Sequence, residues 1–153
     1  APVNEKFDLS ELVEGVVNLF ENEEGGLKID FKIPEDPIMV FLDKNQIVSV
    51  LNNLLKNALQ AVPDDQTPEI EVFIRRLPGP IAQLEVKDNG TGIPEDFQPK
   101  VFVPNFTTKN SGTGLGLAIS KKIVQQAKGN IRFDTEEGAG TSFFVEFPMM
   151  TDL

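Results

Sequence analysis

Apolar positions along the chain recur with two distinct periods, and the switches between them divide it into helices and strands. Between residues 8 and 23, Leu9, Leu12, Val13, Val16, Val17 and Phe20 form a stripe of helical spacing. Asp8 with Glu11 reads as a capping box at its start, and Glu24-Gly25-Gly26 ends it. The period then drops to two. Ile29, Phe31 and Ile33 alternate with Lys28, Asp30 and Lys32, which predicts a half-buried strand. A turn over 34–37 leads to a short buried strand over 38–42. A second helix is expected from Asp43, capped with Gln46, to about Val62, where Pro63-Asp64-Asp65 stops it. Ile70, Val72 and Ile74 mark a strand, Pro78-Gly79-Pro80 a turn, and Ala82, Leu84 and Val86 the hairpin partner. Residues 114–128 predict a third helix closed by Lys128-Gly129. A last hairpin joins 131–135 to 141–147 across a glycine-rich turn. Three helices and about six mostly antiparallel strands predict an α+β fold, a two-layer sandwich with helices on one sheet face. Residues 89–111 show little periodicity, and a loop of that length in a small domain points to function.

Composition narrows the partners. The 153 residues fit one domain, with 1–7 expected as a junction to a further domain. At 40% hydrophobic the chain holds enough apolar material for one core. Its 24 acidic against 14 basic side chains leave a net charge of −10, which disfavours nucleic acid and anionic membranes as partners. With no cysteine and no histidine, disulfides, thiolate chemistry, serine–histidine triads and a phosphohistidine within this chain are excluded. No apolar run is long enough to span a bilayer or form a secretion signal. A cytoplasmic setting is expected, whether or not a parent protein is membrane-anchored. The start at Ala1-Pro2, without methionine, is what a piece of a longer protein would show.

Three places carry candidate chemistry. On the second helix, Gln46, Ser49, Asn53, Lys56, Asn57 and Gln60 gather opposite the apolar stripe. They form either a solvated face or, through the stacked amides of Asn53 and Asn57, a hard oxygen site suited to Mg²⁺. In the strand ending at Asp88, parity places that carboxylate on the apolar face with Ala82, Leu84 and Val86. It either caps its own Asp-Asn-Gly turn or accepts from the exocyclic amine of a bound base, with Gly90 and Gly92 letting backbone approach a flat ring. Gly112-Thr113-Gly114-Leu115-Gly116-Leu117 leads into the third helix, and glycines at a helix start can cradle phosphate. The segment lacks the P-loop ending and the βαβ setting of a dinucleotide fingerprint.

In order, these stretches resemble the ATP-binding catalytic domain of sensor histidine kinases. Asn53-Leu54-Leu55-Lys56-Asn57-Ala58 is similar to the asparagine box. Asp88-Asn89-Gly90-Thr91-Gly92-Ile93-Pro94 is similar to the first glycine box, and Val101-Phe102-Val103-Pro104-Asn105-Phe106-Thr107-Thr108-Lys109 to the phenylalanine box. Gly112-Thr113-Gly114-Leu115-Gly116-Leu117-Ala118-Ile119 matches the second glycine box and Gly138-Ala139-Gly140-Thr141 the terminal glycine-threonine element. The resemblance implies the Bergerat fold of gyrase, heat-shock chaperones and mismatch-repair ATPases, with ATP and Mg²⁺ as cofactors. By it, Asp88 binds the adenine amino group with Thr141 assisting through water, and Ile93 belongs to the same pocket. Asn57 coordinates Mg²⁺, Asn53 sits near the phosphates, and Gly90 and Gly92 make room for the nucleotide. Residues 94–113 form an ATP lid that includes Phe102, Phe106, Thr107 and Thr108, with Lys109 near the terminal phosphate. The amides of Gly114, Leu115, Gly116 and Leu117 hold phosphates after Gly112 and Thr113. Gln60 stands where many members carry a basic residue, which leaves Lys56 or Lys109 to neutralise charge.

Hydrolytic members of that superfamily carry a glutamate four residues before the magnesium asparagine. Here the residue is Asn53, which is no general base at neutral pH. Transfer to another nucleophile is therefore expected over hydrolysis. The implied acceptor is a histidine on a separate dimerisation (histidine phosphotransfer) domain of the same protein, followed by the receiver domain of a response regulator. The isolated domain is expected to be monomeric. Two other readings stand beside this one: a free-standing serine kinase of the anti-sigma-factor type, and a nucleotide-binding regulatory module without turnover. The acidic stretches 21–24 and 136–137 are expected to be solvated turns, and Phe143, Phe144 and Phe147 to pack the sheet.

Overall fold

The structure is a computed structural model that describes residues 1–104 and 116–150. In chain order the elements are β1 (Glu5–Asp8), α1 (Leu9–Glu23), β2 (Ile29–Phe31), β3 (Met39–Leu42), α2 (Lys44–Gln60), β4 (Ile70–Leu77) and β5 (Ile81–Lys87). A 3₁₀ segment (Glu95–Lys100), α3 (Gly116–Gln126), β6 (Asn130–Glu136) and β7 (Gly140–Pro148) follow. Five strands form one sheet in the order β2-β4-β5-β7-β6. Its β2–β4 pair is parallel and its other three pairs are antiparallel. The helices cover one face, as expected of a two-layer sandwich. Val72 and Ile74 of β4, Ala82, Leu84 and Val86 of β5, and Phe143, Val145 and Phe147 of β7 are all buried in one core with Leu51, Leu54 and Leu55 of α2.

Among the described residues no helix lies on the opposite face of the sheet, yet Gln83 and Glu85 of β5 are buried there. Arg75 reaches across from β4 to pair with Glu85 at 2.8 Å and donates to Gln83 at 3.1 Å. Ser142 of β7 donates to the other Glu85 oxygen at 2.7 Å, and Gln83 donates to Glu146 at 2.8 Å. Arg75 and Arg132 lie over the rings of Phe73 and Phe144. Long side chains thus lie over the polar row that a helix would otherwise cover.

Several elements differ from the sequence expectation. Residues 5–7, expected within a junction, form β1 together with Asp8, and this strand pairs antiparallel with β3 in a separate two-stranded sheet. Among the described residues there are therefore seven strands, in two sheets. The α1 cap is Asp8 as expected, but its carboxylate takes the amide and hydroxyl of Ser10 and the amide of Ile38, at 3.0, 2.6 and 3.0 Å, in place of a box closed by Glu11. Asp43 caps α2 through the Gln46 amide at 3.2 Å and also holds the Val3 amide at 2.9 Å. Those two backbone bonds, Val3 foremost, hold its carboxyl below the usual carboxylate range. Strand β2 stops at Phe31, leaving Ile33 exposed. Glu21 is no free turn residue, because its carboxylate accepts the Ile29 amide at 2.6 Å and ties α1 to β2. No described helix is long and apolar enough to cross a membrane.

Candidate active site

The site begins where β5 runs out. Asp88 follows its last residue and is 3% exposed, on the helix-covered side that parity predicts. Oδ1 accepts the Gly90 amide at 2.8 Å and the Thr141 amide at 3.2 Å, while the Asp88 amide donates to the Thr141 carbonyl at 2.9 Å. The turn reading of Asp88 thus holds, since its carboxylate closes its own Asp-Asn-Gly turn, and it does so from a buried position. Two backbone donors fix the carboxylate in direction, since neither can rotate away as a side chain would. Thr141 is also buried, and its hydroxyl lies 2.9 Å from that of Thr135. Thr135 in turn accepts the Ile93 amide at 2.9 Å, so the loop after Asp88 is stitched to the β6–β7 hairpin. Neither its alternation in β6 nor any motif singles out Thr135; only the pairing of Thr135 with Thr141 does.

The glycines of this loop are explained by the protein's own backbone. A Cβ on Gly90 would overlap the carbonyl of Ala61, the residue that caps α2. At Gly92, with φ +78°, a Cβ would overlap the Glu136 carbonyl. Glycine at both positions lets the Asp88 loop press between the end of α2 and the end of β6, whatever a ligand requires. The Thr91 amide completes the contact by donating to the Ala61 carbonyl at 3.1 Å. Asn89 faces the other way and is clamped by Glu69, Thr67 and Gln66.

Helix α2 brings in the second half. The Asn57 carbonyl accepts the Ala61 amide, so Asn57 stands one turn before the residue on which Gly90 rests. Asn53 and Asn57 are half-buried, whereas Lys56 and Gln60 are exposed. The polar face of α2 is therefore only partly a solvated one. The Asn53 side-chain nitrogen donates to the Gly116 carbonyl and to the Ser120 hydroxyl, both at 3.2 Å, which ties α2 to the start of α3. Ser120 is fully buried. An amide nitrogen has two hydrogens, and these two acceptors use both, so Asn53 presents its carbonyl oxygen elsewhere. Among the described residues no three acidic, histidine or cysteine side chains converge on a metal position. A cation here would rest on amide oxygens and on oxygens of its ligand, which is the donor set Mg²⁺ accepts.

Of the expected lid, Phe102 is half-buried against the sheet, with ring centroids 6.0 Å from Phe133 and 6.3 Å from Phe143. The Lys121 ammonium lies 5.1 Å from its ring centre. Phe102 is thus anchored on the body of the domain. Leu117 and Ile93 pack against the core from the rim. Phe106, Thr107, Thr108, Lys109, Gly112, Thr113, Gly114 and Leu115 lie outside the described residues.

Residues 42–151, which contain this whole arrangement, match the family described as histidine kinase-, DNA gyrase B-, and HSP90-like ATPases. The chain belongs to that family. Among solved structures it is similar to the catalytic domain of histidine kinase ThkA, with 35% identity, a TM-score of 0.81 and 95% of both chains covered. It is also similar, at 30% identity and a TM-score of 0.79, to ThkA in a complex with response regulator protein TrrA, covering 96% of this chain and 42% of that one. Sporulation kinase E of Bacillus subtilis is 33% identical over 142 residues, which is 93% of this chain and 18% of that protein. The chain spans between 18% and 33% of the length of the first curated relatives it matches. The fold is that of the histidine kinase catalytic domains.

Proposed function

We propose that this chain is the part of a sensor histidine kinase that binds Mg-ATP and passes its γ-phosphoryl group to a histidine on a dimerisation domain, from which a response regulator receives it. The observation that carries the reading is the Asp88 carboxylate, inward-facing at the end of β5, fixed by two backbone amides and set against the last turn of the helix bearing Asn57. An oriented, buried acceptor of this kind is matched by an exocyclic amine, such as that of adenine.

Asn57, with phosphate oxygens completing the set, would hold Mg²⁺, which supplies neutralisation of the phosphate charge. Residues of this chain do the rest by binding and orientation. Asp88 and Thr141 fix the base, and the Asp88 loop holds its place against Ala61. Asn53, whose amide nitrogen is spent on Gly116 and Ser120, locks the start of α3 to α2 and gives the site a neutral oxygen where a hydrolase needs a carboxylate. Water is left without a base, whereas a neutral imidazole attacks without one. Lys56 and Lys109 are the cations assigned to the developing charge.

The test supplies labelled ATP to the full-length parent protein and follows the chemical nature of the phosphoprotein. Acid-labile, alkali-stable label on a histidine outside this chain, with free phosphate release near background, is the expected result. Acid-stable label would favour the serine kinase, and bound nucleotide without label the regulatory module.

A further inference from the structure

The Thr135 side chain joins the loop after Asp88 to the β6–β7 hairpin. Its hydroxyl accepts the Ile93 amide at 2.9 Å, stands 2.9 Å from the Thr141 hydroxyl, and lies 3.3 Å from the Gly140 carbonyl. A hydroxyl has one proton to give and two lone pairs to receive. The Ile93 amide occupies one lone pair of Thr135, so the position of its proton is the remaining question. The hydroxyl can reach the Gly140 carbonyl as acceptor at 3.3 Å and the Thr141 oxygen at 2.9 Å, where either oxygen can donate, and the shorter contact favours sending the proton to Thr141. Donation then runs one way, from the Ile93 amide to Thr135 and from Thr135 to Thr141. Thr141 therefore keeps its own proton to donate on its other side. The Thr141 amide is bonded to Asp88, so a carboxylate acceptor and a hydroxyl donor stand next to each other.

We propose that Thr135 is a positioning residue for base selectivity: by donating to Thr141 it makes that hydroxyl a donor beside the Asp88 acceptor. The inference rests on the reading of Asp88 as the base-binding group. An acceptor next to a donor complements the amine and ring nitrogen of adenine. Guanine presents the reverse order, a carbonyl oxygen and a ring N–H, and would set acceptor against acceptor and donor against donor.

The test is calorimetric titration of native chain, Thr135→Val and Thr135→Ser with non-hydrolysable ATP and GTP analogues, each with Mg²⁺. Valine keeps the shape and removes the hydroxyl. Thr141 then loses its enforced direction, and the preference for the ATP analogue falls by about five- to tenfold, the worth of one hydrogen bond. Serine restores the native preference. Loss of the Ile93 partner lowers the melting temperature of the valine variant, so the ratio of the two affinities is the quantity read. Should the valine variant not fold, Thr135→Ala takes its place with the same expectation. A native ratio in the hydroxyl-free variant overturns the assignment of Thr135 and leaves the nucleotide reading intact. A native chain that binds neither analogue overturns the nucleotide reading and this inference with it.

Discussion

Two buried carboxylates lie three residues apart at one end of the central strand, and they are held in opposite ways. Glu85 faces the helix-free side, where Arg75 supplies a cation at 2.8 Å and Ser142 a hydroxyl at 2.7 Å. Asp88 faces the helix side, where Gly90 and Thr141 supply backbone amides to a single oxygen. The donors to Glu85 are side chains of neighbouring strands, and the result is a stitched sheet face. Two donors to Asp88 are parts of the backbone, locked because Gly90 lies against Ala61 and Thr141 pairs with Thr135. Burial alone does not separate a structural carboxylate from a site carboxylate. The nature of the donors does, because rigid donors aim a group and flexible ones only neutralise it.

The comparison breaks most sharply at Asp88. Asp88→Asn keeps an acceptor for Gly90 and Thr141 but removes the charge. It should weaken binding of a non-hydrolysable ATP analogue by about 2–3 kcal/mol, in the range of a charged hydrogen bond, with little change in unfolding temperature. Gly90→Ala comes next, since its Cβ would overlap the Ala61 carbonyl. Calorimetric unfolding should show a loss of about 1–3 kcal/mol, as for an overpacked site, together with weaker nucleotide binding as the Asp88 loop is pushed away. Glu85→Gln sharpens the contrast from the other side. Arg75 is 40% exposed and can return to water, so stability should fall by only about 1 kcal/mol and nucleotide affinity should not move.

The smallest effect concerns pH and lies far from the site. The Asp43 carboxyl is held below its ordinary range by the Val3 and Gln46 amides. Its contribution is therefore present above the unfolded pKa and is lost as pH falls through the folded one. The protection of the Val3 amide against hydrogen exchange, measured relative to its intrinsic rate at each pH, should fall on acidification in the native chain, and Asp43→Asn should flatten that fall.

Much of this was legible in local pattern. The helical stripe around Leu51, Leu54 and Leu55 marked the face of α2 that enters the core, and period-two alternation placed Asp88 on the helix side before any contact was known. The ordered boxes pointed to the family that residues 42–151 match. Long-range pairing was not legible. β1 has four residues and exists only because β3 offers it an edge. The 3₁₀ segment containing Pro99 carries no period to detect. Sequence alone offered the glycines as space for a ring, and the structure shows that Ala61 and Glu136 already require them. Ser120 and Thr135 acquire meaning only through Asn53 and Thr141, partners brought beside them by folding.

The most direct test of the central claim is a titration of the native chain, Asp88→Asn and Glu85→Gln with a non-hydrolysable ATP analogue, each with and without Mg²⁺. The account predicts Mg²⁺-dependent binding that survives in Glu85→Gln and is weakened by about 2–3 kcal/mol in Asp88→Asn while that variant stays folded. Equal binding by Asp88→Asn and the native chain, or a folded native chain that binds nothing, would contradict it.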